Sequence, residues 1–287
     1  MKEVIKTMVN STSEIAETIG IYDDAVETKL FFGNKENPQD VTNFKGIYNM
    51  GTSLLTAVAT KQYQIIQHND VAQALVESLA GLNLEVKGLI KNYRDRVCFD
   101  LYFDDSKYDV NDGEKGIKLG IRVVNSYDKS NSFRLEMFAY RMICSNGMAI
   151  GSAINSVKEV VVHTGEKKPL SLIKGTTEAF IKNVINSSEK LQRLVNLSME
   201  DSVEWVLAEK IIKKLMPVKK HREEILARVE EGKELTRWDL YNAITNYTTH
   251  DEALKPSVVS AMEVKSRKVL TKDFVEFESE LLAEVSN

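Results

Sequence analysis

The chain contains few of the residues that mark disulfide-stapled, linker-rich or membrane-spanning proteins. Only two cysteines occur in 287 residues, which favours reduced thiols in a cytosolic protein and leaves a single disulfide as the alternative. Four prolines argue against low-complexity linkers. Apolar runs extend over only a few residues, so no segment has the length needed to span a bilayer. We therefore expect a cytoplasmic globular protein with no membrane partner.

The sequence also lacks the patterns that carry common catalytic chemistry. It contains neither a Gly-x-x-x-x-Gly-Lys-Ser/Thr phosphate loop nor a strand-linked Gly-x-Gly-x-x-Gly, which excludes nucleotide hydrolysis by such loops. Its four histidines are far apart, and no two of them have metal-ligand spacing. The acidic cluster between Asp104 and Glu114 lacks the spacing of a calcium loop and is predicted to be a solvated hairpin tip. No metal and no cofactor is expected.

Cys144 provides the remaining catalytic hypothesis. It follows Arg141 and precedes an Asn-Gly turn, and a base could come from His163, His221 or His250. Against a thiol nucleophile, free cysteines are most often small buried core residues, and only Arg141 would lower the pKa of this thiol. We expect Cys144 to be structural and the protein not to be an enzyme.

Hydrophobic periodicity predicts strands in the first part of the chain. Short runs of alternating apolar and polar residues, separated by turn residues, predict strands at 54–60, 63–67, 84–90, 96–103, 117–125, 132–140 and 157–163. The later connections are too short to contain crossover helices, so neighbouring strands should be antiparallel and form a meander. One helix is predicted among the strands at 71–82, with Asn69 or Asp70 as its N-cap.

After Pro169 the apolar spacing changes to that of helices. Helical segments are predicted at 170–216, 219–231 and 237–248. Thr236 should cap the last of them, in which Trp238, Tyr241 and Ile244 share one face, so we expect Trp238 in the core. Strands followed by helices predict an α+β fold, an antiparallel β-meander sheet followed by a mostly helical C-terminal half.

Pattern and charge divide the chain into four parts. These are an N-terminal arm at 1–45, an antiparallel sheet domain with one or more helices at 46–169, a helical region packed on it at 170–272, and an acidic tail at 273–287. The net charge of −4 is uneven, because the arm carries −3 and the tail −5 while the residues between them carry +4. Apolar residues of the arm suggest packing on other structure, such as a neighbouring subunit, and we expect a homo-oligomer.

Basic residues of the predicted sheet provide a candidate binding surface. Strand alternation places several of them on one face, where they could hold phosphates while nearby tyrosines stack on bases. The predicted nucleic-acid-binding residues are Lys91, Tyr93, Arg94, Arg96, Lys118, Arg122, Tyr127, Arg134 and Arg141. The alternative is an ordinary polar face whose cations pair with Asp100, Asp128 and Glu136. A second basic stretch at Lys210–Arg222 is typical of a solvated helix.

Three pairs of segments together resemble one protein family. They are Leu55–Val58 with Tyr63–Asn69, Val123–Asp128 with Arg141–Met148, and Trp238–Thr245 with His250. Their order and spacing over residues 45–252 are similar to those of phage- and plasmid-like proteins of unknown function from bacterial and archaeal mobile elements. The resemblance implies work in a host cytoplasm near DNA replication, recombination or element maintenance, and it transfers no catalytic residue. At the level of fold alone, the meander followed by helices is also similar to single-strand annealing recombinases, which form rings.

The sequence therefore predicts a non-enzymatic mobile-element protein that binds single-stranded nucleic acid as an oligomer. A protein-docking or regulatory factor that uses the helical half and the acidic tail is the alternative. A thiol-dependent enzyme centred on Cys144 is the third hypothesis. The residues do not distinguish a DNA partner from an RNA partner.

Overall fold

The fold is that of a computed structural model. It describes residues 4–113, 116–141, 146–149, 158–161, 163, 165, 170–229, 234–251 and 253–270. The chain forms two compact units. The first comprises Met1–Ser106, Gly120–Met137 and Lys158–Val184, and the second comprises Lys107–Leu119, Phe138–Val157 and Ile185–Asn287.

Strands dominate the first part of the described chain and helices the rest. The strands are β1 (Ile5–Val9), β2 (Ala25–Thr28), β3 (Phe31–Phe32), β4 (Gln39–Asp40), β5 (Phe44–Asn49), β6 (Leu54–Thr60), β7 (Val86–Asn92), β8 (Arg96–Phe103), β9 (Ile117–Ser126), β10 (Phe133–Arg141), β11 (Asn146–Ala149) and β12 (Lys158–Val161). The helices are α1 (Thr12–Glu17), α2 (His68–Gly81), α3 (Leu170–Asn186), α4 (Ser188–Glu200), α5 (Trp205–Leu215), α6 (Lys219–Leu226), α7 (Arg237–His250) and α8 (Pro256–Ser266). The predicted α+β class is confirmed.

In the first unit the larger sheet contains the predicted antiparallel meander. Its strand order is β1-β7-β8-β9-β10, and β12 pairs with β10. β7 pairs antiparallel with β8, and β8 with β9. The inward side chains of β8, including Phe99 and Leu101, are fully buried because every second residue of a strand faces the core. In the second unit the end of β10 pairs with β11.

A smaller sheet of the first unit has the order β2-β5-β6. On its inner face Ala25, Ile47 and Ala59 are buried and pack with Tyr63 and Tyr127. β1 pairs with β7 of the larger sheet and β2 pairs with β5 of the smaller one. The residues that we predicted to form an N-terminal arm therefore contribute strands to both sheets.

The strand predicted at 63–67 is wrong from residue 64 onward, because these residues bond to partners elsewhere. The backbone N–H of Gln64 donates to the carbonyl of His163, and the carbonyl of Gln64 accepts from the His163 ring. The amide side chain of Gln67 bonds to both the backbone N–H and the carbonyl of Ala25, at 3.1 and 2.7 Å. Residues 64–67 are therefore irregular chain that leads into α2.

α2 begins at His68, earlier than either predicted cap would place it. Asn69 does not cap the helix because its side chain bonds to the loop before β2. Its Oδ1 accepts from the backbone N–H of Gly20 at 2.8 Å, and its Nδ2 donates to the carbonyl of Tyr22 at 3.1 Å. The predicted apolar face of the helix is buried at Val71, Leu75 and Leu79.

In the second unit α7 begins where the sequence predicts. Thr236 Oγ1 accepts from the backbone N–H of Asp239 at 3.1 Å, and Asp239 Oδ2 accepts from the backbone N–H of Thr236 at 3.0 Å. This capping box satisfies two backbone donors that the first turn would otherwise leave unpaired. Trp238 is buried as predicted, and its ring stacks on Tyr241 with centroids 5.6 Å apart.

Candidate nucleic-acid interface

Lys91 and Arg122 lie on the face of the meander opposite Phe99 and Leu101, here called its outer face, and share a single carboxylate. Asp100 stands opposite Arg122 in the β8–β9 pair. Arg122 donates from Nε to Asp100 Oδ1 at 2.5 Å and from Nη2 to Oδ2 at 3.1 Å, while Lys91 Nζ donates to Oδ2 at 2.8 Å. Because two cations meet one anion, these three side chains together carry a single net positive charge.

The protonation states of this triad are fixed at neutral pH. Burial alone would raise the pKa of the Asp100 carboxyl, but the charges of Arg122 and Lys91 outweigh burial and hold that pKa well below its usual range. The Asp100 carboxylate in turn raises the pKa of Lys91 to about 12. Burial raises the pKa of the neighbouring Cys98 thiol to about 12, so this thiol is protonated at neutral pH.

Two other predicted phosphate ligands also have acidic partners. Lys118 Nζ lies 2.7 Å from Asp109 Oδ2, and Arg134 Nε lies 3.5 Å from Glu136 Oε1. Pairing with Asp100 and Glu136 is what the polar-face alternative predicts. The side chain of Arg141, also predicted as a phosphate ligand, lies outside the described residues.

The β7–β8 turn, residues 92–96, presents the other predicted binding residues. Arg94 is exposed and adopts a left-handed backbone conformation with φ of 68°, which Asn92 Oδ1 supports by accepting from the Arg94 N–H at 2.8 Å. The guanidinium of Arg96 lies 4.2 Å from the centroid of the Tyr93 ring. Such cation–π stacking holds the guanidinium over the face of the aromatic ring. The turn therefore brings Tyr93, Arg94 and Arg96 together.

Asp95, the remaining residue of this turn, points in the opposite direction and is buried. Its Oδ1 accepts from Asn49 Nδ2 at 2.9 Å and from Thr56 Oγ1 at 3.0 Å, both in the smaller sheet. Its backbone carbonyl accepts from the N–H of Tyr127 at 2.7 Å. Charge-assisted bonds to a buried carboxylate are strong, so Asp95 anchors the turn to the body of the first unit.

Tyr127 was predicted to stack on bases, and this prediction is wrong because the structure buries the ring. Its ring stacks on His68 with centroids 3.8 Å apart, and its hydroxyl accepts from the backbone N–H of His68 at 2.8 Å. The same hydroxyl lies 3.0 Å from the carbonyl of Asp23 and 3.1 Å from Gln67 Oε1. A buried tyrosine must bond its hydroxyl, and here it does so at the start of α2. No face of its ring is exposed for base stacking.

Next to Tyr127 is a pair of buried polar residues that the sequence analysis missed. Asn125 Nδ2 donates to the carbonyl of Ile66 at 2.8 Å and lies 2.9 Å from His68 Nδ1. Burial lowers the pKa of His68 to about 3, so the ring is neutral at physiological pH. The sequence signal for this site was Asn125 itself. It is a polar residue on the inward side of a strand whose other inward residues, Ile121 and Val123, are apolar.

The ring of His163, a candidate base for Cys144, is hydrogen-bonded to the backbone at both nitrogens. Its Nε2 accepts from the backbone N–H of Phe133 at 3.1 Å, its Nδ1 donates to the carbonyl of Gln64 at 3.0 Å, and its ring stacks on Tyr63. Both nitrogens are therefore used, and burial lowers the pKa of this histidine. Cys144 itself lies outside the described residues, so the thiol hypothesis stays a prediction.

The other expectations on site chemistry concern metals and membranes. Among the residues that the structure describes, no group of three or more His, Cys, Asp or Glu side chains is placed to hold a metal ion. No helix within the described ranges has the length and apolar character needed to cross a membrane.

Comparison with known proteins matches the chain to a family model. A family model described as a domain of unknown function, DUF932, matches residues 56–272. No curated protein and no solved structure matches the chain. The matched region contains the β7–β8 turn, the triad around Asp100 and the buried His68–Asn125 pair.

Proposed function

The chain belongs to the DUF932 family, whose description assigns no chemistry, and we propose that it is a non-enzymatic protein that binds single-stranded nucleic acid at the β7–β8 turn. The observation that carries the proposal is the arrangement of Tyr93, Arg94 and Arg96 in one anchored turn. The resemblance to phage- and plasmid-like proteins supports a role near replication or recombination of a mobile element, and the fold-level similarity to single-strand annealing recombinases supports strand annealing.

The turn offers both contacts that sequence-tolerant binding of a single strand requires. Guanidinium groups of Arg94 and Arg96 bind phosphate oxygens with planar, bidentate geometry. The Tyr93 ring and the Arg96 guanidinium plane form a short stack onto which an unpaired base can be added. Because Asp95 fixes the turn from its buried side, little conformational freedom is lost when a strand binds.

The outer face of the meander extends this surface to a limited degree. Lys91 and Arg122 share the buried Asp100, and their own side chains are 27% and 11% exposed. We therefore assign this triad no phosphate contact of its own. Lys118 and Arg134 are balanced by acidic partners and add little to the attraction. We therefore assign the largest share of the affinity to the turn.

The test is fluorescence anisotropy of a labelled single strand of about 16 nucleotides, the upper site size of one small binding fold. The double substitution of Arg94 and Arg96 to Ala should weaken binding by at least about tenfold at low salt, because two phosphate contacts are lost. Tyr93→Ala should weaken it as well, since stacking contributes about 1–3 kcal/mol per base, whereas Tyr93→Phe keeps the ring and should bind like wild type.

Lys182→Ala is the matched control, because Lys182 is an exposed lysine on α3 that pairs with Glu178 one turn away. It removes one positive charge without touching the turn and should leave the affinity unchanged. If wild type fails to bind DNA and RNA single strands at low salt, the proposal is wrong. Equal affinity in wild type and the Arg94/Arg96 double variant would show that the turn is not the site.

The second candidate function is docking on a host or element protein without nucleic-acid binding. It is favoured by one observation in the first unit, the acidic partners of the cations on the sheet face, since Arg122 and Lys91 pair with Asp100 and Arg134 with Glu136. Paired charges of both signs are typical of a protein-facing surface. Absence of oligonucleotide binding in the anisotropy experiment would favour this candidate.

A further inference from the structure

The smaller sheet of the first unit has one buried and one uncovered apolar face. Ala25, Ile47 and Ala59 on the inner face are buried in the core. The residues that alternate with them point outward, and among these are Thr28 and Thr60. The apolar residues of this side, here called the outer apolar face, are Val26, Phe44, Tyr48, Leu55 and Val58 of the strands and Leu30 just after β2. Of these, Val26, Phe44, Leu55 and Val58 expose between 41% and 51% of their surface. A sheet of a soluble protein normally has polar residues on its solvent side, so this face is unusual.

The outer apolar face is continuous across the three strands. In the strand register Val26 stands opposite Tyr48, and Tyr48 opposite Leu55. Gly46, the residue at the centre of β5, is covered by its neighbours: a Cβ built there would lie 2.6 Å from Leu55 Cδ1 and 3.2 Å from Leu30 Cδ2. Leu30, which follows β2, and Leu55 of β6 thus approach each other over the glycine from the two edges of the sheet. They form one patch instead of isolated exposed side chains.

The adjoining β3–β4 hairpin enlarges the uncovered apolar area. Phe31 and Phe32 follow Leu30 directly and expose 60% and 65% of their surface, and Phe44 exposes 45%. Successive side chains of a strand point to opposite faces, so only one of Phe31 and Phe32 can share a face with Phe44. If a phenylalanine has roughly 200 Å² to bury, these two rings leave about 210–220 Å² in contact with water. The exposed halves of Val26, Leu55 and Val58 bring the apolar area to roughly 290–390 Å², at about 60–120 Å² for each fully buried aliphatic side chain.

Since about 60% of an interface is apolar, this area corresponds to roughly 500–650 Å² buried on each side. The total of roughly 1,000–1,300 Å² reaches the size of a small specific interface, so we expect a weak dimer. The largest apolar patch that a monomer exposes has a comparable area and often has a function.

Charge identifies the kind of partner. No residue of the outer apolar face is charged, and the exposed charged residues of the adjacent segment are two bases and two acids: Lys29, Lys35, Glu36 and Asp40. A membrane surface or a nucleic acid would require an excess of basic residues. An uncharged centre with a rim of both signs is complementary to itself, as a two-fold interface demands.

We propose that the outer apolar face, together with the β3–β4 hairpin, is the interface through which two copies of this chain form a two-fold dimer. The face is separate from the β7–β8 turn proposed to bind nucleic acid, because none of its residues belongs to that turn. Self-association can therefore fail or succeed independently of the proposed nucleic-acid binding.

Sedimentation velocity of the full chain from about 1 to 100 μM tests the interface. Wild type should approach twice the 32.4 kDa chain mass as concentration rises. Leu55→Glu and Val58→Glu should each raise the dissociation constant at least about 100-fold, because each would bury an unpaired carboxylate in the interface. Both side chains are about half exposed, so each variant should keep the circular dichroism spectrum of wild type.

Val206→Glu is the matched control, since Val206 is an exposed valine on α5 in the second unit. It introduces the same charge and should leave the dimer unchanged. A wild type that remains at 32.4 kDa throughout, or folded Leu55→Glu and Val58→Glu variants that dimerise like wild type, would overturn the proposal. Arg94→Ala should dimerise normally, which keeps this experiment separate from the nucleic-acid assay.

Discussion

At the scale of single residues, Asp100 controls how much positive charge the outer face of the meander carries. Its carboxylate is shared by Arg122 and Lys91. Asp100→Asn keeps the size and an acceptor oxygen but raises the net charge of this group from +1 to +2. We expect tighter binding of a single strand in fluorescence anisotropy, because one more net positive charge near the turn attracts phosphate more strongly.

The same substitution should destabilise the fold by about 1–3 kcal/mol, since two charge-assisted bonds to a buried carboxylate are weakened. Urea unfolding measures this loss. Unchanged affinity in a folded Asp100→Asn protein would remove the outer face from the binding surface and leave the β7–β8 turn alone.

His68 predicts a dependence of stability on pH. Its pKa is about 3 in the folded protein, against about 6.5 for an unburied histidine. Between these values the unfolded chain binds a proton that the folded chain does not, so the free energy of unfolding should fall as the pH falls. One such group contributes about 1.4 kcal/mol per pH unit.

Urea unfolding at several pH values between about 7 and 4 measures this slope, and His68→Gln should show a shallower one. His163, whose pKa burial also lowers, contributes in the same direction and remains in both proteins. Identical slopes in wild type and variant would contradict the assignment of the effect to His68.

Removal of the Trp238 side chain should destabilise the second unit. Trp238 is 3% exposed and stacks on Tyr241 in α7. Trp238→Ala should lower the free energy of unfolding by about 3–5 kcal/mol through lost burial and a cavity. Thermal and urea melts measure the change. A melting midpoint equal to that of wild type would contradict its role in the core.

At the scale of elements, β8 and β9 approach each other so closely at Gly120 that a side chain does not fit there. A Cβ at this position would clash with the carbonyl oxygen of Leu101 and lie 2.5 Å from the Cα of Tyr102, and neither backbone can move without disturbing the ladder. Gly120→Ala should therefore destabilise by about 1–3 kcal/mol, the usual cost of overpacking, although alanine favours strands more than glycine.

Gly175→Ala in α3 is the control for this prediction, because nothing lies within 4 Å of a Cβ built there. Alanine in the interior of a helix should stabilise by roughly 0.5–1 kcal/mol. Chemical denaturation should thus give opposite signs for the two glycine-to-alanine changes. The same sign for both would show that the β8–β9 pair can separate more easily than its geometry indicates.

For the whole molecule, charge limits how nucleic acid can be attracted. The net charge is −4, so no long-range field draws a phosphate backbone to the protein. Binding should depend on the few local contacts at the turn. Two phosphates held by Arg94 and Arg96 predict a slope of log affinity against log salt of about −1.4, and Arg94→Ala should reduce its size by about 0.7.

Anisotropy titrations at several salt concentrations measure this slope. A value several times larger would mean that more cations participate, and the basic stretch at Lys210–Arg222 would be the next surface to substitute. In the described structure this stretch covers part of α5 and α6, and Lys219 there pairs with Glu223.

By itself the sequence determined the order and class of the elements, because local periodicity and turn residues decide whether a segment becomes strand or helix. The meander β7–β8–β9, the capping box at Thr236 and the buried Trp238 all follow from short-range pattern. The turn at 92–96 could likewise be located from its basic and aromatic residues.

Only the tertiary structure decided which polar side chains meet, because each contact depends on strand register and on residues distant in sequence. Asp100 reaches Arg122 and Lys91 across two strand pairs, and this neutralises part of a face that strand alternation alone shows as basic. Tyr127 is buried because α2 begins at His68 and places a backbone N–H over its hydroxyl. No local pattern distinguishes such a tyrosine from an exposed one, since both lie beside a turn and differ only in what packs above the ring.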